Sequence, residues 1–558
     1  RTASVSLPNG KRQSAERQAS VCRTAGVSLP NGKRQSAERQ ASVPNGMDLL
    51  LAHAYFLSED PQEREVMKPY PPLGLLYLSS HLKRQGIGVS MFDGTFRSPA
   101  EFAALVRRER PSIVGLYSNL MTKRHVLGLI PECRRAGARV VVGGPDPPYY
   151  AEDYLDHGAD IVVIGEGERT LEELVPRLVA RPGSRDLAGV AGLAYRDESG
   201  HFVRTTPRPL LPDLDAQPFP DREAVDIEAY LHAWRMRHAV GSVSLVTARG
   251  CPYTCAWCSR SVYGETHRRR SPANVADEVQ LIVDRYQPDM LWYADDVFTI
   301  HHGFIAKYAA ELARRGIRVP FECISRAERI DEPVAEALAR MGCSRLWIGS
   351  ESGSQSVLDA MDRRVRVEQV QHATRLLRTR GIQVGMFIML GYEGEDVAGL
   401  EATIAHLKRA APDVFLTTVA YPIKGTPYYD RVNGRVIRRG PWSATTDRDL
   451  VVSGRRGRRY YSFARRWIAS EVARDRLWRE GRYLRAARAA LSAGAGRLGM
   501  ALTSLKTLGA ERSGAEGSPR ASAPGGVQGP SRGFGHLGRS SKSEVQGSPP
   551  IMSEERES

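Results

Sequence analysis

Short apolar runs alternate with amphipathic stretches twice along this chain, and this alternation restricts the fold more than any other feature. The first series gives predicted strands at residues 48–56, 89–93, 113–117, 139–142 and 160–164. The predicted helices lie between them, at residues 73–85, 99–108, 122–135, 149–157 and 170–179. Short apolar strands that alternate with helices of this length predict a Rossmann-like α/β domain, with a doubly wound parallel sheet covered on both faces.

A second series begins at Ser242 and contains six strand–helix units. Its predicted strands are residues 242–246, 290–293, 320–324, 345–348, 384–390 and 414–421. Its predicted helices are residues 272–286, 304–315, 332–341, 354–361, 367–380 and 397–409. Six such units predict a partial (β/α)6 barrel, whose chemistry belongs at the carboxyl ends of the strands.

Glycines and polar residues follow the strands of the first series. A doubly wound sheet binds its ligands outside the carboxyl ends of the strands, and glycine lets a backbone approach a bulky ligand closely. The candidate binding residues are Ser118, Asn119, Gly143, Gly144, Pro145, Gly165, Glu166 and Gly167. The alternative for each one is an ordinary turn between a strand and a helix.

Three of the seven cysteines lie within eight residues, at the spacing C-x3-C-x2-C. Cys251, Cys255 and Cys258 follow the first strand of the second series, and thiolates suit iron–sulfur clusters. Three ligands on a four-iron cluster leave one iron open, whereas a structural zinc site needs four closed ligands. The alternative is three unrelated buried cysteines.

This cysteine segment, residues 249–258, resembles the signature of the radical S-adenosylmethionine (radical SAM) superfamily, which has an aromatic residue before the last cysteine. The resemblance implies that the three cysteines hold a 4Fe-4S cluster whose open iron chelates SAM, with Trp257 beside the adenine. It also implies that Asp295 or Asp296 faces the SAM amino group. The alternative for these aspartates is a helix cap.

Two charged residues that follow later barrel strands receive roles from the same resemblance. The resemblance implies that Arg326 binds the SAM carboxylate, since the arginine side chain can donate two parallel hydrogen bonds to a carboxylate. The alternative for Arg326 is a surface ion pair. Glu351, in the segment Ile-Gly-Ser-Glu-Ser-Gly, holds the ribose hydroxyls.

The first series resembles the cobalamin-binding domain that precedes many radical SAM domains. The resemblance lies in residues 71–82, 113–122, 140–148 and 160–170. The cobalt-ligating motif D-x-H-x-x-G has no counterpart, because residues 118–123 read Ser-Asn-Leu-Met-Thr-Lys and His125 lies further on. The lower face of cobalt is therefore expected to be empty, occupied by water or occupied by another side chain.

Together the two resemblances imply a cobalamin-dependent radical SAM enzyme with a 4Fe-4S cluster, SAM and cobalamin as cofactors. The expected reaction is methylation of an unactivated carbon or phosphorus in a small molecule, lipid or natural-product precursor. Two alternatives stay open. One is a cyclase or rearrangement enzyme with the same cofactors, and the other is a non-enzymatic cobalamin or Fe–S sensing protein.

Charge and cysteine content restrict the partners and the compartment. The net charge of +16 is concentrated in the terminal tracts and residues 455–466, which favours a solvated or partner-facing surface over specific nucleic-acid binding. No apolar run reaches the roughly 20 residues of a membrane span, and no signal peptide is visible. Free cysteines predict a reducing, cytoplasmic location.

The expected partners are a small-molecule or lipid substrate and an external electron donor of the flavodoxin or ferredoxin type. Basic, aromatic helices predicted at residues 460–474 and 477–491 are expected to be solvated caps of the barrel. Peripheral contact with an acidic lipid surface is their alternative role.

The predicted organisation has six parts. Residues 1–46 hold a nearly perfect duplication that is too polar to form a core, and we expect a disordered segment from a translated upstream region. The cobalamin-binding domain, a Pro-rich linker and the radical SAM domain follow at residues 47–206, 207–235 and 236–427. A mainly helical region covers residues 428–506, and a disordered tail covers residues 507–558.

Overall fold

The computed structural model of this chain describes residues 47–514, and the side chains of residues 47–504. The duplicated segment 1–46 and the end of the predicted tail lie outside the described residues. The described residues divide into two compact units, of which the first ends at Arg455 and the second begins at Arg456. Both predicted sheets lie in the first unit.

The first sheet has a parallel centre, as the strand–helix alternation predicts. Its parallel strands are β1 (Leu49–His53), β2 (Val89–Asp93), β3 (Ile113–Tyr117), β4 (Arg139–Gly143) and β5 (Ile161–Val163). They lie in the order β2-β1-β3-β4-β5, so the order reverses beside β1. The crevice outside such a reversal is the usual ligand site of a doubly wound sheet.

Helices cover both faces of this sheet. They are α1 (Pro61–Val66), α2 (Leu73–Arg84), α3 (Pro99–Glu109), α4 (Lys123–Arg135), α5 (Ala151–Asp156) and α6 (Glu168–Ala180). Along β1, Leu50 and Ala52 are buried in one hydrophobic layer, whereas Leu49 and Leu51 are buried in the other. Successive side chains of a strand point to opposite faces, so this alternation shows that neither face is exposed.

A hairpin extends this sheet. Its strands, β6 (Leu193–Arg196) and β7 (Phe202–Arg204), are antiparallel, and β6 pairs with the edge strand β5. The first sheet is therefore a mixed seven-stranded sheet. The predicted linker at residues 207–235 contains most of α7 (Ile227–His238), which leads into the second sheet.

The second series forms the expected open barrel. It begins with β8 (Ser242–Leu245) and a short antiparallel pair, β9 (Ala248–Arg249) and β10 (Arg268–Arg269). The remaining strands are β11 (Met290–Tyr293), β12 (Phe321–Ser325), β13 (Cys343–Glu351), β14 (Gln383–Leu390) and β15 (Val414–Val419). β8 and β11 to β15 pair in sequence order, all parallel.

Six helices connect the barrel strands: α8 (Pro272–Tyr286), α9 (His302–Arg315), α10 (Glu332–Met341), α11 (Gln355–Ala360), α12 (Val367–Arg378) and α13 (Val397–Ala410). Their starts follow capping rules. The side chains of Ser271, Asp331 and Asp396 accept hydrogen bonds from the first turns of α8, α10 and α13. The first unit closes with α14 (Pro427–Val432) and the antiparallel pair β16 (Val436–Ile437) and β17 (Val451–Val452).

The second unit is a helical hairpin. Its helices are α15 (Arg458–Arg479) and α16 (Tyr483–Gly514), and Gly481 turns the chain between them at φ +72°. α15 extends beyond the predicted end at residue 474. α16 also continues past residue 507, where the tail was predicted to begin, because residues 505–512 still contain good helix formers.

The predicted fold class is confirmed: a Rossmann-like domain, a partial (β/α)6 barrel and a mainly helical C-terminal region. Among the described residues, no helix is both long enough and apolar enough to cross a membrane.

Candidate functional site

The cysteine loop begins at a glycine that no other residue can replace without rearrangement. Gly250 has φ +85°, and a Cβ atom there would lie 2.4 Å from the carbonyl oxygen of Thr266. The left-handed backbone and the close approach of Thr266 both exclude a side chain. The chain therefore turns sharply out of β9 and presents Cys251 at the carboxyl end of the barrel.

Backbone hydrogen bonds fix the middle of this loop to two other parts of the barrel mouth. The amide of Ala256 donates to the carbonyl of Met361 at 2.9 Å, and the amide of Tyr428 donates to the carbonyl of Ala256 at 2.8 Å. The hydroxyl of Thr254 donates to Asp362 at 3.0 Å. Because α11 and α14 hold the loop from two sides, the cysteines are positioned by the barrel itself.

The three thiols are free and mutually close. Burial, together with the charges of Asp296, Cys255 and Cys251, raises the pKa of Cys258 to about 12. Burial also raises the pKa of Cys251 and Cys255. Thiols in this environment stay protonated until a metal centre displaces their protons, so the donor set is suited to an iron–sulfur cluster.

The described residues do not form a site for a single metal ion. Within residues 47–504, no three His, Cys, Asp or Glu side chains are arranged to hold a single metal ion.

Arg326 is buried against the cysteine loop and does not form a surface ion pair. Only 3% of it is exposed, and its Nη1 lies 3.2 Å from the sulfur of Cys255. Its other nitrogens donate to Glu328 and to the carbonyl of Arg363, and its guanidinium lies 3.8 Å from the ring centroid of Tyr253. The positive charge of Arg326 lowers the pKa of Cys255 and partly offsets burial.

Glu351 ends β13 in an unusual backbone conformation. Its φ is +61°, a strained value for a residue with a side chain, and the residue is only 5% exposed. Burial raises the pKa of its carboxyl to about 8. Its carboxyl group forms no hydrogen bond or ion pair with any other described residue. It is therefore available for a ligand's hydroxyl groups.

The two aspartates after β11 have different roles. Asp295 is buried and accepts hydrogen bonds from the amide and hydroxyl of Thr247, at 2.6 and 2.5 Å, so it holds the turn that follows β8. Asp296 is accessible at the barrel mouth, and its charge reaches Cys251 and Cys258. The surrounding protein and the charge of Asp295 raise the pKa of Asp296. Of the two, only Asp296 is placed to meet a ligand.

Trp257 directly precedes Cys258 in the cysteine loop. Its ring packs against a buried cluster that includes Met361, Met389, Tyr392 and Tyr428. Its indole Nε1 is buried and makes no hydrogen bond with any described residue. A buried donor without a partner is costly, so this nitrogen is a candidate contact for a bound group.

The candidate cobalamin loops are held by a buried hydrogen-bond network. The hydroxyl of Ser118 is fully buried and pairs with that of Tyr154 at 2.6 Å, and Tyr154 donates to Asp146 at 2.6 Å. Gly144 has φ +112°, and a Cβ atom there would lie 2.4 Å from the carbonyl oxygen of Ser118. The loops after β3 and β4 therefore pack directly on each other, with Pro145 between the glycine and the aspartate.

Other candidates in this half shape the backbone. The side chain of Asn119 accepts from the amides of Met121 and Thr122 at 2.8 and 3.0 Å, which starts the turn into α4. Gly143, Gly165 and Gly167 are partly exposed along the same edge.

His125 contacts the loop that follows β1. Its ring packs edge-on against Phe56, and its Nδ1 lies 3.5 Å from Glu59. These two contacts hold its ring against the protein.

Glu166 joins the two sheets. Its carboxylate accepts from Arg249 at 2.9 Å, from Arg268 at 2.9 and 3.1 Å, and from the amide of Leu211 at 2.8 Å. Arg249 also pairs with Glu168 at 2.7 Å. We call Glu166, Glu168, Arg249 and Arg268 the ion cluster.

The ion cluster ties the loop after β5 to the residue that precedes Gly250. Its carboxylates are almost fully buried, with 5% and 6% of the side chains of Glu166 and Glu168 exposed. The arginines lower the pKa of Glu166 despite its burial. The carboxyl edges of the two sheets therefore meet at a charged contact beside the cysteine loop.

A second contact joins the first sheet to the segment between β16 and β17. Lys123, at the start of α4, is fully buried; its Nζ donates to the carbonyl of Thr445 at 3.0 Å and lies 3.8 Å from the ring centroid of Trp442. Burial lowers the pKa of Lys123 to about 8. Tyr150 donates to Asp447 at 2.5 Å.

Two protein-family profiles match this chain over the two sheets. The B12 binding domain matches residues 64–175, and the radical SAM superfamily matches residues 245–407. The chain belongs to the cobalamin-dependent radical SAM proteins. Its cofactors are a 4Fe-4S cluster, SAM and cobalamin, and the residues described above fit them: three free thiols, an unpaired carboxylate and glycine-lined strand ends.

Similar proteins agree with this family. An uncharacterized methyltransferase from Pyrococcus horikoshii is 29% identical over 67% of this chain and 81% of its own length. An anaerobic magnesium-protoporphyrin IX monomethyl ester cyclase from Rubrivivax gelatinosus is 27% identical over 63% of this chain and 64% of its own length. This radical SAM protein is therefore an enzyme, which sets aside the sensing alternative.

The fold is shared with a solved structure of the radical SAM methyltransferase TsrM from Kitasatospora setae with cobalamin and a [4Fe-4S] cluster bound. The TM-score is 0.58 at 21% identity, over 71% of this chain and 80% of that one.

Several residues of this enzyme's site were not predicted from the sequence. Arg268, Lys123 and Asp447 have no local pattern that marks them as contacts between domains. The sequence does mark Arg249 and Glu168 as candidate site residues, because each lies inside a segment that carries a family resemblance. Their mutual pairing at 2.7 Å depends on the tertiary fold.

Proposed function

We propose that this enzyme methylates an unactivated carbon or phosphorus of a small-molecule, lipid or natural-product precursor, using SAM as the methyl source. One observation carries the proposal: the loop that follows β5 of the cobalamin domain contacts the cysteine loop through the ion cluster, within a single compact unit. Cofactors that are bound at one junction can react with the same substrate molecule. Catalysis depends on holding the reactants close together in the correct orientation.

In this proposal Cys251, Cys255 and Cys258 hold the cluster. When bound, the cluster and SAM supply a 5′-deoxyadenosyl radical, and cobalamin supplies methyl-group transfer. The protein's contribution is to place these groups, exclude water and keep the substrate at the junction between the two sheets.

The SAM-binding roles are assigned to residues around the cysteine loop. Glu351 accepts hydrogen bonds from the ribose hydroxyls, because its buried carboxylate has no recorded partner among the described residues. Asp296 accepts from the amino group, and Trp257 borders the adenine. We assign Arg326 to holding Cys255 and balancing the charge of its thiolate. A bond from Arg326 to the SAM carboxylate would require the exchange of a contact that it already makes.

The cobalamin-binding roles are divided between backbone and side chains. Gly143, Gly165 and Gly167, with Gly144 and Pro145, give the corrinoid close access to the backbone at the strand ends. Ser118, Asn119 and Glu166 act indirectly, since their polar atoms hold the loops. His125 does not supply a lower ligand in this proposal, because it packs against Phe56 and lies beside Glu59.

The cluster must be reduced before SAM is cleaved, so we also propose an external electron donor of the flavodoxin or ferredoxin type. Such donors are acidic proteins, and the strongly basic chain offers charge complementarity to them.

The test uses the full chain, reconstituted anaerobically with iron and sulfide and loaded with hydroxocobalamin. It is incubated with a chemical reductant, trideuteromethyl-labelled SAM and candidate substrates, and the products are identified by mass spectrometry. Methylation predicts labelled product, S-adenosylhomocysteine and 5′-deoxyadenosine in matching amounts. Product without the label would contradict methyl transfer.

A cyclase or rearrangement reaction is the second candidate, because a cyclase is among the similar proteins. It predicts 5′-deoxyadenosine without S-adenosylhomocysteine and a product that lacks the label. The same incubation therefore separates the two reactions.

A further inference from the structure

The second unit exposes an aligned row of leucines on α16. Leu484, Leu491, Leu498 and Leu502 are 85%, 77%, 61% and 54% exposed. They are spaced by seven, seven and four residues, so they lie on one face of the helix. We call these four residues the leucine stripe. Isolated exposed leucines are common, whereas an aligned set of four is a surface feature that calls for a partner.

The opposite face of α16 is already packed, so the leucine stripe is not available to the hairpin's own core. Ala486, Ala493 and Met500 are each 2% exposed on that face. A Cβ atom at Gly496 would lie 2.9 Å from the backbone nitrogen of Trp467 in α15. Because the two helices approach this closely, rotating α16 to bury the leucines would destroy the packing between them.

The turn between the helices carries two exposed aromatic residues. Trp478 and Tyr483 are 64% and 59% exposed, and their rings pack edge to face with centroids 5.0 Å apart. Aromatic rings with a polar edge favour the boundary between water and lipid. They extend the apolar surface from the leucine stripe to the end of the hairpin.

The hairpin is strongly basic. Residues 456–504 contain twelve arginines against three acidic residues, a net charge of +9. All three acidic residues lie within 4 Å of an arginine of the same hairpin. A helix with an apolar stripe and an Arg-rich remainder has the composition of helices that lie in a membrane interface.

Charge decides between two occupants of the leucine stripe. A second copy of the chain would bring another hairpin of the same +9 charge against it, which like-charge repulsion opposes. An anionic phospholipid surface offers opposite charge and an apolar layer at a shallow depth. The stripe spans about 27 Å along the axis at about 1.5 Å per residue, a length suited to a helix that lies flat on a surface.

We propose that the α15–α16 hairpin binds the surface of an anionic phospholipid bilayer, with the leucine stripe and the Trp478–Tyr483 pair inserted below the headgroups. The enzyme is then held on the membrane without crossing it. This proposal is independent of methyl transfer, and its test does not require activity.

The test is sedimentation of the full chain with large unilamellar vesicles. One set contains phosphatidylcholine alone, and the other contains phosphatidylcholine with about one third phosphatidylglycerol, since binding of this kind depends on anionic lipid. We expect at least about tenfold tighter binding to the anionic vesicles, and a loss of most binding in high salt because the charges are screened. Equal binding to both sets, or none, overturns the proposal.

Two variants identify the surface. Leu491→Ser combined with Leu498→Ser removes exposed side chains, so folding is expected to be unchanged, while vesicle affinity falls by at least about tenfold. The matched control is Leu281→Ser combined with Leu416→Ser, which removes two exposed leucines (43% and 44%) of the first unit. The control keeps the native affinity, and equal losses in both variants contradict the assignment.

Self-association is measured in parallel by sedimentation velocity without lipid. If the native chain is a dimer and the Leu491→Ser/Leu498→Ser variant is a monomer, a second copy covers the stripe and the proposal is overturned. A native monomer that binds anionic vesicles supports it.

Discussion

Replacement of Glu166 by glutamine tests whether the ion cluster holds the two sheets together. The substitution keeps the size of the side chain and removes its charge. Arg249 then keeps its pair with Glu168, which is itself 6% exposed at its side chain, whereas Arg268 keeps its hydrogen bond to the carbonyl of Leu211 and loses its carboxylate partner. Removing one partner of a buried ion pair is strongly destabilising because it leaves an uncompensated charge.

The magnitude follows from the contacts. Glu166 accepts three hydrogen bonds from arginines and one from a backbone amide. Glutamine keeps one acceptor oxygen, so at least one charge-assisted bond is lost, at about 1.5–3 kcal/mol each. With the unbalanced charge, we expect the free energy of unfolding to fall by about 3 kcal/mol, at the lower end of the range for broken buried pairs.

The assay is thermal unfolding of the full chain, followed by circular dichroism under anaerobic conditions. If residues 47–427 unfold together, an unfolding entropy of about 2.1 cal/mol/K per residue converts this loss into a decrease in Tm of about 4 °C. The matched control is Glu173→Gln, which removes the same charge from a pair with Arg208 in which Glu173 is 44% exposed at its side chain. Exposed pairs contribute under about 1 kcal/mol, so the control should shift Tm by about 1 °C or less.

The double variant Glu166→Gln/Arg268→Met isolates the charge effect, because it removes one charge of each sign. We expect it to recover part of the lost Tm. Equal Tm values for Glu166→Gln and Glu173→Gln would refute the reasoning, since burial is the main difference between the two sites.

Three further predictions concern the site and its support. Cys255→Ala should abolish the visible absorbance of the reconstituted cluster, whereas Cys133→Ala, which replaces a buried cysteine of α4, should leave it unchanged; retained absorbance in the first variant contradicts the ligand assignment. Glu351→Gln should weaken SAM binding by about tenfold in equilibrium dialysis, through the loss of one acceptor oxygen for the ribose hydroxyls, at unchanged iron content. His406 is fully buried beside Ser350, and burial lowers its pKa from 6.5 to about 4. Its neutral form stabilises the fold fully above pH 6.5, and this contribution is lost as the pH falls toward about 4, because the unfolded chain binds the extra proton. The stability difference between pH 7 and pH 5 should therefore shrink in His406→Gln, and an unchanged difference would exclude this origin.

The local pattern of the sequence determined most of the secondary structure. β2, β3, β11, α8 and α10 have the predicted bounds, and most other elements differ by one to three residues. Apolar periodicity and capping residues act within one turn or one strand, so a single segment contains the information needed. The spacing of the three cysteines likewise identified the candidate cluster ligands, since adjacent ligands on one loop are a local feature.

The tertiary structure alone decided which polar side chains are free to bind a ligand. Asp295 and Asp296 are neighbours in sequence, yet one holds the turn after β8 and the other is accessible at the barrel mouth. Glu166 was a candidate ligand contact by its place at a strand end, but its carboxylate is taken up by Arg249, 83 residues away in sequence. A charged residue lowers its energy by finding a partner of opposite charge when it is buried, and that partner is chosen by the packing of distant segments. No local pattern records that choice, because it is made only when the two sheets meet.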